Sequence, residues 1–137
     1  MVRSADVTPT REDLLKDLGY SKKSIQYIEQ GQNLGELPVF TTQTSHVGQC
    51  GDMLRLYLDV DGDRVRKASF ELTGCAGLQA CASGLTTMLE GMTLEEAREI
   101  DVEQIVGFLG GLPEAKIDCA ELTRDTLRKA IEELEQA

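Results

Sequence analysis

The chain has 137 residues, 41% of them hydrophobic, 28% charged and only 4% aromatic, with no Trp and a formal net charge of −10. That balance suits one soluble domain with a modest core. It argues against base stacking, against phosphate backbones and against anionic membranes as partners. No stretch is apolar enough to span a bilayer, and Met1–Asp6 lacks the apolar run of a signal peptide. The expected location is therefore cytoplasmic, where four cysteines point to metal or thiol chemistry sooner than to disulfides.

Residues 1–9 are polar and read as a frayed tail. Thr10 with Asp13 makes a helix start and Gly19 a stop, which predicts a short helix over about 11–18. Residues 1–19 are thus expected to be an extension, with the main domain at 20–137. Ser21 caps a second helix with Ile25 and Ile28 on its inner side, ended by Gly31. Asn33-Leu34-Gly35 reads as a turn, and 36–49 as loop or irregular strand.

From Leu54 the period changes to two, with Leu54, Leu56, Leu58 and Val60 on one face and Arg55, Tyr57 and Asp59 on the other. Asp61-Gly62 signals a hairpin, and the return strand over about 64–72 puts Ala68, Phe70 and Leu72 inward. Val65 falls on the wrong parity, which predicts a bulge or a half-exposed residue. After Gly74 comes a small-residue helix ended by Gly91, then a short helix from Thr93 and another from Asp101 to about Leu109. Gly110–Pro113 breaks the pattern, and Asp118 opens a last helix with Leu122, Leu127, Ala130, Ile131 and Leu134 in its apolar stripe. The fold class is α+β: a small antiparallel sheet packed against several helices.

Three cysteines fall at element boundaries. Cys50 lies in Gly48-Gln49-Cys50-Gly51-Asp52 just before a strand, while Cys75 and Cys119 open predicted helices. A helix N-terminus favours thiolate and can bring a thiol pKa from about 8.5 to roughly 3.5–7.5. Three thiolates and the Asp52 carboxylate make four ligands, enough for tetrahedral Zn or for one edge of an iron–sulfur cluster. A carboxylate is the weaker ligand, which suits a cluster meant to leave. Asp118 reads first as the N-cap of the last helix, and Asp52 could equally cap a turn. Asp118 and His46, the single histidine, are minor candidates for the fourth ligand. Free cysteine is commonly a core residue, and Cys81, mid-helix and six residues after Cys75, is read that way.

At these residues the sequence resembles the U-type iron–sulfur cluster scaffolds, the IscU proteins and the N-terminal domain of NifU. The likeness runs from about Tyr20 to the end of the chain. It begins with Tyr27-Ile28-Glu29-Gln30-Gly31-Gln32-Asn33-Leu34-Gly35 and continues through Cys50-Gly51-Asp52 and Gly74-Cys75-Ala76, with Ser83 in the helix that follows. It ends with Gly91-Met92-Thr93-Leu94-Glu95-Glu96-Ala97 and Leu112-Pro113 through Lys116 and Cys119. The resemblance implies a carrier, not a turnover enzyme. It would assemble a 2Fe–2S cluster from iron and desulfurase-derived sulfur and pass it to apo-proteins, with iron and electron donor proteins as further partners.

The same resemblance implies Cys50, Asp52, Cys75 and Cys119 as cluster ligands, and Cys119 as acceptor of persulfide sulfur. Zn is also found in this site in the family. Two departures stand out. Many relatives carry His where this chain has Asp118, which moves the fourth-ligand assignment to Asp52 or Asp118. The family's Leu-Pro-Pro-Val-Lys chaperone segment is here Leu112-Pro113-Glu114-Ala115-Lys116, so chaperone recognition does not carry over. No long insertion separates the Gly-Cys helix from Lys116, which leans away from the SufU branch. The alternative reading is a Zn-binding sulfur acceptor that activates a cysteine desulfurase. A thiol-redox enzyme using Cys75 and Cys81 ranks third, because no C-x-x-C pair exists. The site could close within one chain or be shared across a homodimer.

Overall fold

The structure is a computed structural model that describes residues 8–136. The tail expectation for residues 1–7 lies outside the described residues. Helix α1 (Arg11–Asp17) starts as a capping box: Thr10 Oγ1 accepts from the Asp13 N–H, and the Asp13 carboxylate accepts from the Thr10 N–H. Its Leu15 is buried in the common core. Helix α2 (Lys22–Gln30) is capped by Ser21 and ends at left-handed Gly31, with Ile25 and Ile28 inward.

Strands β1 (Thr42–Val47), β2 (Met53–Asp61) and β3 (Arg64–Thr73) form one antiparallel sheet in the order β1-β2-β3. The hairpin at Asp61-Gly62 stands as expected, with Leu54, Leu56 and Leu58 fully buried on one face. Register slips between Asp59 and Val60, so that Asp59 pairs with Lys67 while Val60 pairs with Val65. Arg66 is the extra residue, and the slip turns Val65 inward to 0% exposure. The parity mismatch seen in sequence is that bulge.

Strand β1 corrects the reading of 36–49 as loop or irregular strand. It pairs regularly with β2 along its whole length, Thr42 opposite Leu58 through Val47 opposite Met53. It lacks an apolar stripe because the side chain it buries is Thr44, whose hydroxyl donates to the Glu133 carboxylate from the last helix.

Helix α3 (Ala76–Leu89) is buried along most of its length and packs on β3 and α2. Short α4 (Leu94–Arg98) and α5 (Val102–Leu109) each begin with a capping box, from Thr93 and Asp101. A single 3-10 turn, Glu114–Lys116, runs straight into α6 (Ile117–Gln136), which lies on β1 and α3. Asp118 is therefore inside the first turn of α6 and does not cap it, because the 3-10 turn has already begun the coil. Among the described residues no helix is long and apolar enough to cross a membrane.

Candidate functional site

The β1–β2 connection holds Cys50 at the tip of a tight turn. The Gly48 N–H donates to the Asp52 carbonyl at 2.8 Å, and the Gly51 N–H to the Gly48 carbonyl at 3.1 Å. Gly51 has φ +88°, a conformation that L side chains rarely adopt, so the glycine after Cys50 is required by the turn. Cys50 is exposed. Asp52 follows at the strand edge, its carboxylate against Gly74: a Cβ at Gly74 would stand 3.0 Å from Asp52 Oδ2. The loop and the β3–α3 junction thus meet where the sequence places both motifs.

Cys75 is the N-cap of α3, with extended backbone and no side-chain cap bond. Cys119 sits in the first turn of α6, buried to 6% exposure. Their Sγ atoms are 3.6 Å apart. A cleft of about 600 Å³ opens beside them, lined among others by His46, Cys50, Asp52, Asp118, Cys119 and Arg124. The elements therefore bring Cys50, Asp52, Cys119 and both minor candidates to one cleft, with Cys75 in contact with Cys119. Among the described residues, no three His, Cys, Asp or Glu side chains yet stand close enough to enclose a metal ion. The arrangement is convergent but open.

Burial pushes the Cys119 thiol well up from its ordinary value, and the neighbouring Cys75, Cys81 and Asp118 push the same way. Burial at Cys119 thus works against the thiolate that the helix terminus was expected to favour. Cys81 is wholly buried in α3, and burial first, then Cys75 and Asp118, raises its thiol to about 12. It is a core thiol, as the spacing implied.

Sequence reasoning assigned no role to Tyr20, which the fold places beside the thiols. A Cβ on Gly77 would stand 3.0 Å from both the Tyr20 hydroxyl and Lys116 Cδ, so glycine in the first turn of α3 makes room for them. Burial, then Cys75, Cys119 and Cys81, raises the Tyr20 phenol to about 12. Arg124 on the cleft wall was also missed. Its guanidinium is held by Asp101 and Asp125, each at 2.9 Å.

A family model described as the NifU-like N terminal domain matches residues 19–137. The chain belongs to that family. Its NifU-like relatives include the nitrogen fixation protein NifU of Nostoc sp., 37% identical over 123 residues, covering 87% of this chain and 40% of the relative. Iron-sulfur cluster assembly scaffold protein IscU 1 of Archaeoglobus fulgidus is 35% identical over 114 residues, covering 82% of this chain and 74% of that protein. The chain spans about two fifths of the NifU relative's length. The crystal structure of a nitrogen-fixing NifU-like protein (N-terminal) from Brucella abortus superposes with a TM-score of 0.65 at 20% identity, covering 89% of this chain and 98% of that one. At that identity the likeness shows the fold alone, which is the α+β scaffold fold of the NifU-like N-terminal domain.

Proposed function

We propose that this NifU-like domain is a scaffold on which a 2Fe–2S cluster is built and from which it is passed on. The cluster is cargo, so the protein is a carrier and not a turnover enzyme. The observation that carries the reading is the 3.6 Å Cys75–Cys119 pair beside a cleft that Cys50 and Asp52 also line. Two thiolates bonded to one tetrahedral metal at about 2.3 Å stand roughly 3.8 Å apart. The pair is thus held near the separation that sharing one metal requires, by two helices that pack on each other.

In this reading Cys50, Asp52, Cys75 and Cys119 hold the cluster, and the turn at Gly51 swings Cys50 in over it. Asp52 is the weak ligand that eases release, and Asp118 and His46 stand within the cleft as alternates. Cys119 receives sulfur from a cysteine desulfurase, an iron donor and an electron donor complete the assembly, and an apo-protein takes the product. The name of the IscU relative supports the scaffold role.

Anaerobic incubation with a cysteine desulfurase, cysteine and ferrous iron should give the charge-transfer absorbance of a 2Fe–2S centre. Serine at Cys50, Cys75 or Cys119 should impair it, and alanine at Cys81 should leave it. A colourless product with one Zn per chain would favour the Zn-binding sulfur acceptor instead.

A further inference from the structure

Building a cluster consumes sulfide, whereas a persulfide delivers sulfane sulfur, which is two electrons short of it. A thiol of matching capacity stands next to Cys119. Cys119 forms part of the cleft wall, so an outer sulfur on it has room on that side. Cys75 is half-buried, is not part of that wall, and holds its sulfur 3.6 Å from Cys119 Sγ. Its side chain makes no cap hydrogen bond, so that no bond to its own helix has to break before its sulfur moves. Cys50 is out at the loop tip and Cys81 is locked in α3; the hydrogen-bonded thiol pair among the described residues is Cys75 with Cys119.

We infer that Cys75 is a resolving thiol: its sulfur attacks Cys119 Sγ when Cys119 carries a persulfide, and frees the outer sulfur into the cleft as hydrosulfide. The inference rests on the reading of Cys119 as the sulfur acceptor. In the step, the bond between Cys119 Sγ and the outer sulfur breaks, and a Cys75–Cys119 disulfide forms. The outer sulfur keeps the electron pair of the broken bond and is reduced to sulfide. The Cys75 proton leaves with it or goes to water. The two cysteine sulfurs are oxidised by the same two electrons, so the step needs no outside reductant. Closing the pair to a disulfide bond of about 2.05 Å asks for roughly 1.5 Å of combined movement. An external dithiol then reopens the disulfide before both thiolates can bind iron.

The test uses the full chain carrying Cys50→Ala and Cys81→Ala, without oxygen or metal, and glutathione persulfide as sulfur donor. Intact-mass and peptide mass spectrometry follow the protein, and a bimane trap follows sulfide. The expected course is transient persulfide on Cys119, then a Cys75–Cys119 disulfide and one trapped sulfide per disulfide. With Cys75→Ser added, the persulfide on Cys119 should live at least about tenfold longer, since no solution thiol matches the effective concentration of a neighbour in place. Serine is a good N-cap, so that variant is expected to fold, and a matching far-ultraviolet circular dichroism spectrum checks it. Equal persulfide lifetimes with and without Cys75 overturn the inference. So does persulfide that settles on Cys75 and never on Cys119. Cluster formation from ferrous iron and free sulfide needs no persulfide. If the wild-type chain passes that assay while the Cys50→Ala, Cys81→Ala chain fails this one, the scaffold reading stands and the resolving thiol is lost.

Discussion

The Asp52 carboxylate lies against the bare Cα of Gly74, so close that a Cβ there would stand 3.0 Å from its Oδ2. The Cys-Gly-Asp loop is thus seated on the residue before Cys75. Gly74→Ala should push Asp52 off its seat, since Leu78 Cδ2 crowds the same point at 3.0 Å and leaves little room to yield. If Asp52 is the release ligand, Gly74→Ala and Asp52→Ala share one phenotype: a longer-lived cluster and slower transfer to an apo-ferredoxin. Transfer followed by circular dichroism checks it, and unchanged kinetics in both variants would remove Asp52 from the role.

Cys75 sits where a helix wants a capping oxygen, and its thiol makes no cap bond. Cys75→Ser should therefore stabilise the metal-free fold by about 0.5–1 kcal/mol while impairing cluster formation. Urea unfolding of the apo-protein measures the first effect and cluster absorbance the second. A variant that is both less stable and cluster-free would mean that Cys75 is there for packing.

What could be read from sequence, and what could not, follows from how local each signal is. The β2–β3 hairpin was plain because Leu54, Leu56 and Leu58 alternate beside Asp61-Gly62, and even its bulge left a trace in the parity of Val65. The capping boxes at Thr10, Thr93 and Asp101 are written within four residues each. Strand β1 was hidden because its buried Thr44 is satisfied by Glu133, 89 residues away. The effect that opposes the helix terminus at Cys119 is non-local in the same way: besides burial, Cys75 and Cys81, far off in sequence, raise its thiol. The three cysteine motifs were legible, whereas Tyr20 beside them was not, since its place depends on the bare Gly77 of α3, distant in sequence.

Cys81 gives a pH prediction. Its thiol is raised to about 12 in the folded chain by burial, against an ordinary value of 9.0. Below pH 9 the thiol is neutral in both states and costs nothing. Between pH 9 and 12 the unfolded chain loses the proton and the folded chain keeps it, so stability falls as pH rises. Tyr20 and Cys119, raised in the same direction, add to the fall. Unfolding midpoints across pH 8–11 should drop more steeply in the wild-type chain than in Cys81→Ala, by up to one proton of slope. Parallel curves would show that Cys81 ionises freely in the folded state.

The last prediction concerns the turn that ties α2 to the sheet. Asn33 is the one non-glycine with positive φ among the described residues, at +62°. Its carbonyl accepts from the Phe70 N–H at 3.0 Å, and Gly35 N–H donates to the Phe70 carbonyl at 2.7 Å, pinning the turn to β3. Its side-chain amide donates to the hydroxyls of Thr86 at 3.0 Å and Thr87 at 3.3 Å, pinning it to α3 as well. Asn33→Ala loses the amide bonds and replaces a residue that tolerates the left-handed region with one that tolerates it less well, for a combined cost of about 2 kcal/mol. Asn33→Gly loses the same hydrogen bonds but keeps the backbone at ease, so about half of that cost should remain. Urea unfolding of the two variants separates the terms. Equal losses would assign the whole effect to the amide, and a harmless Asn33→Gly would assign it to the backbone, leaving the Thr86 contact without weight in holding the turn to α3.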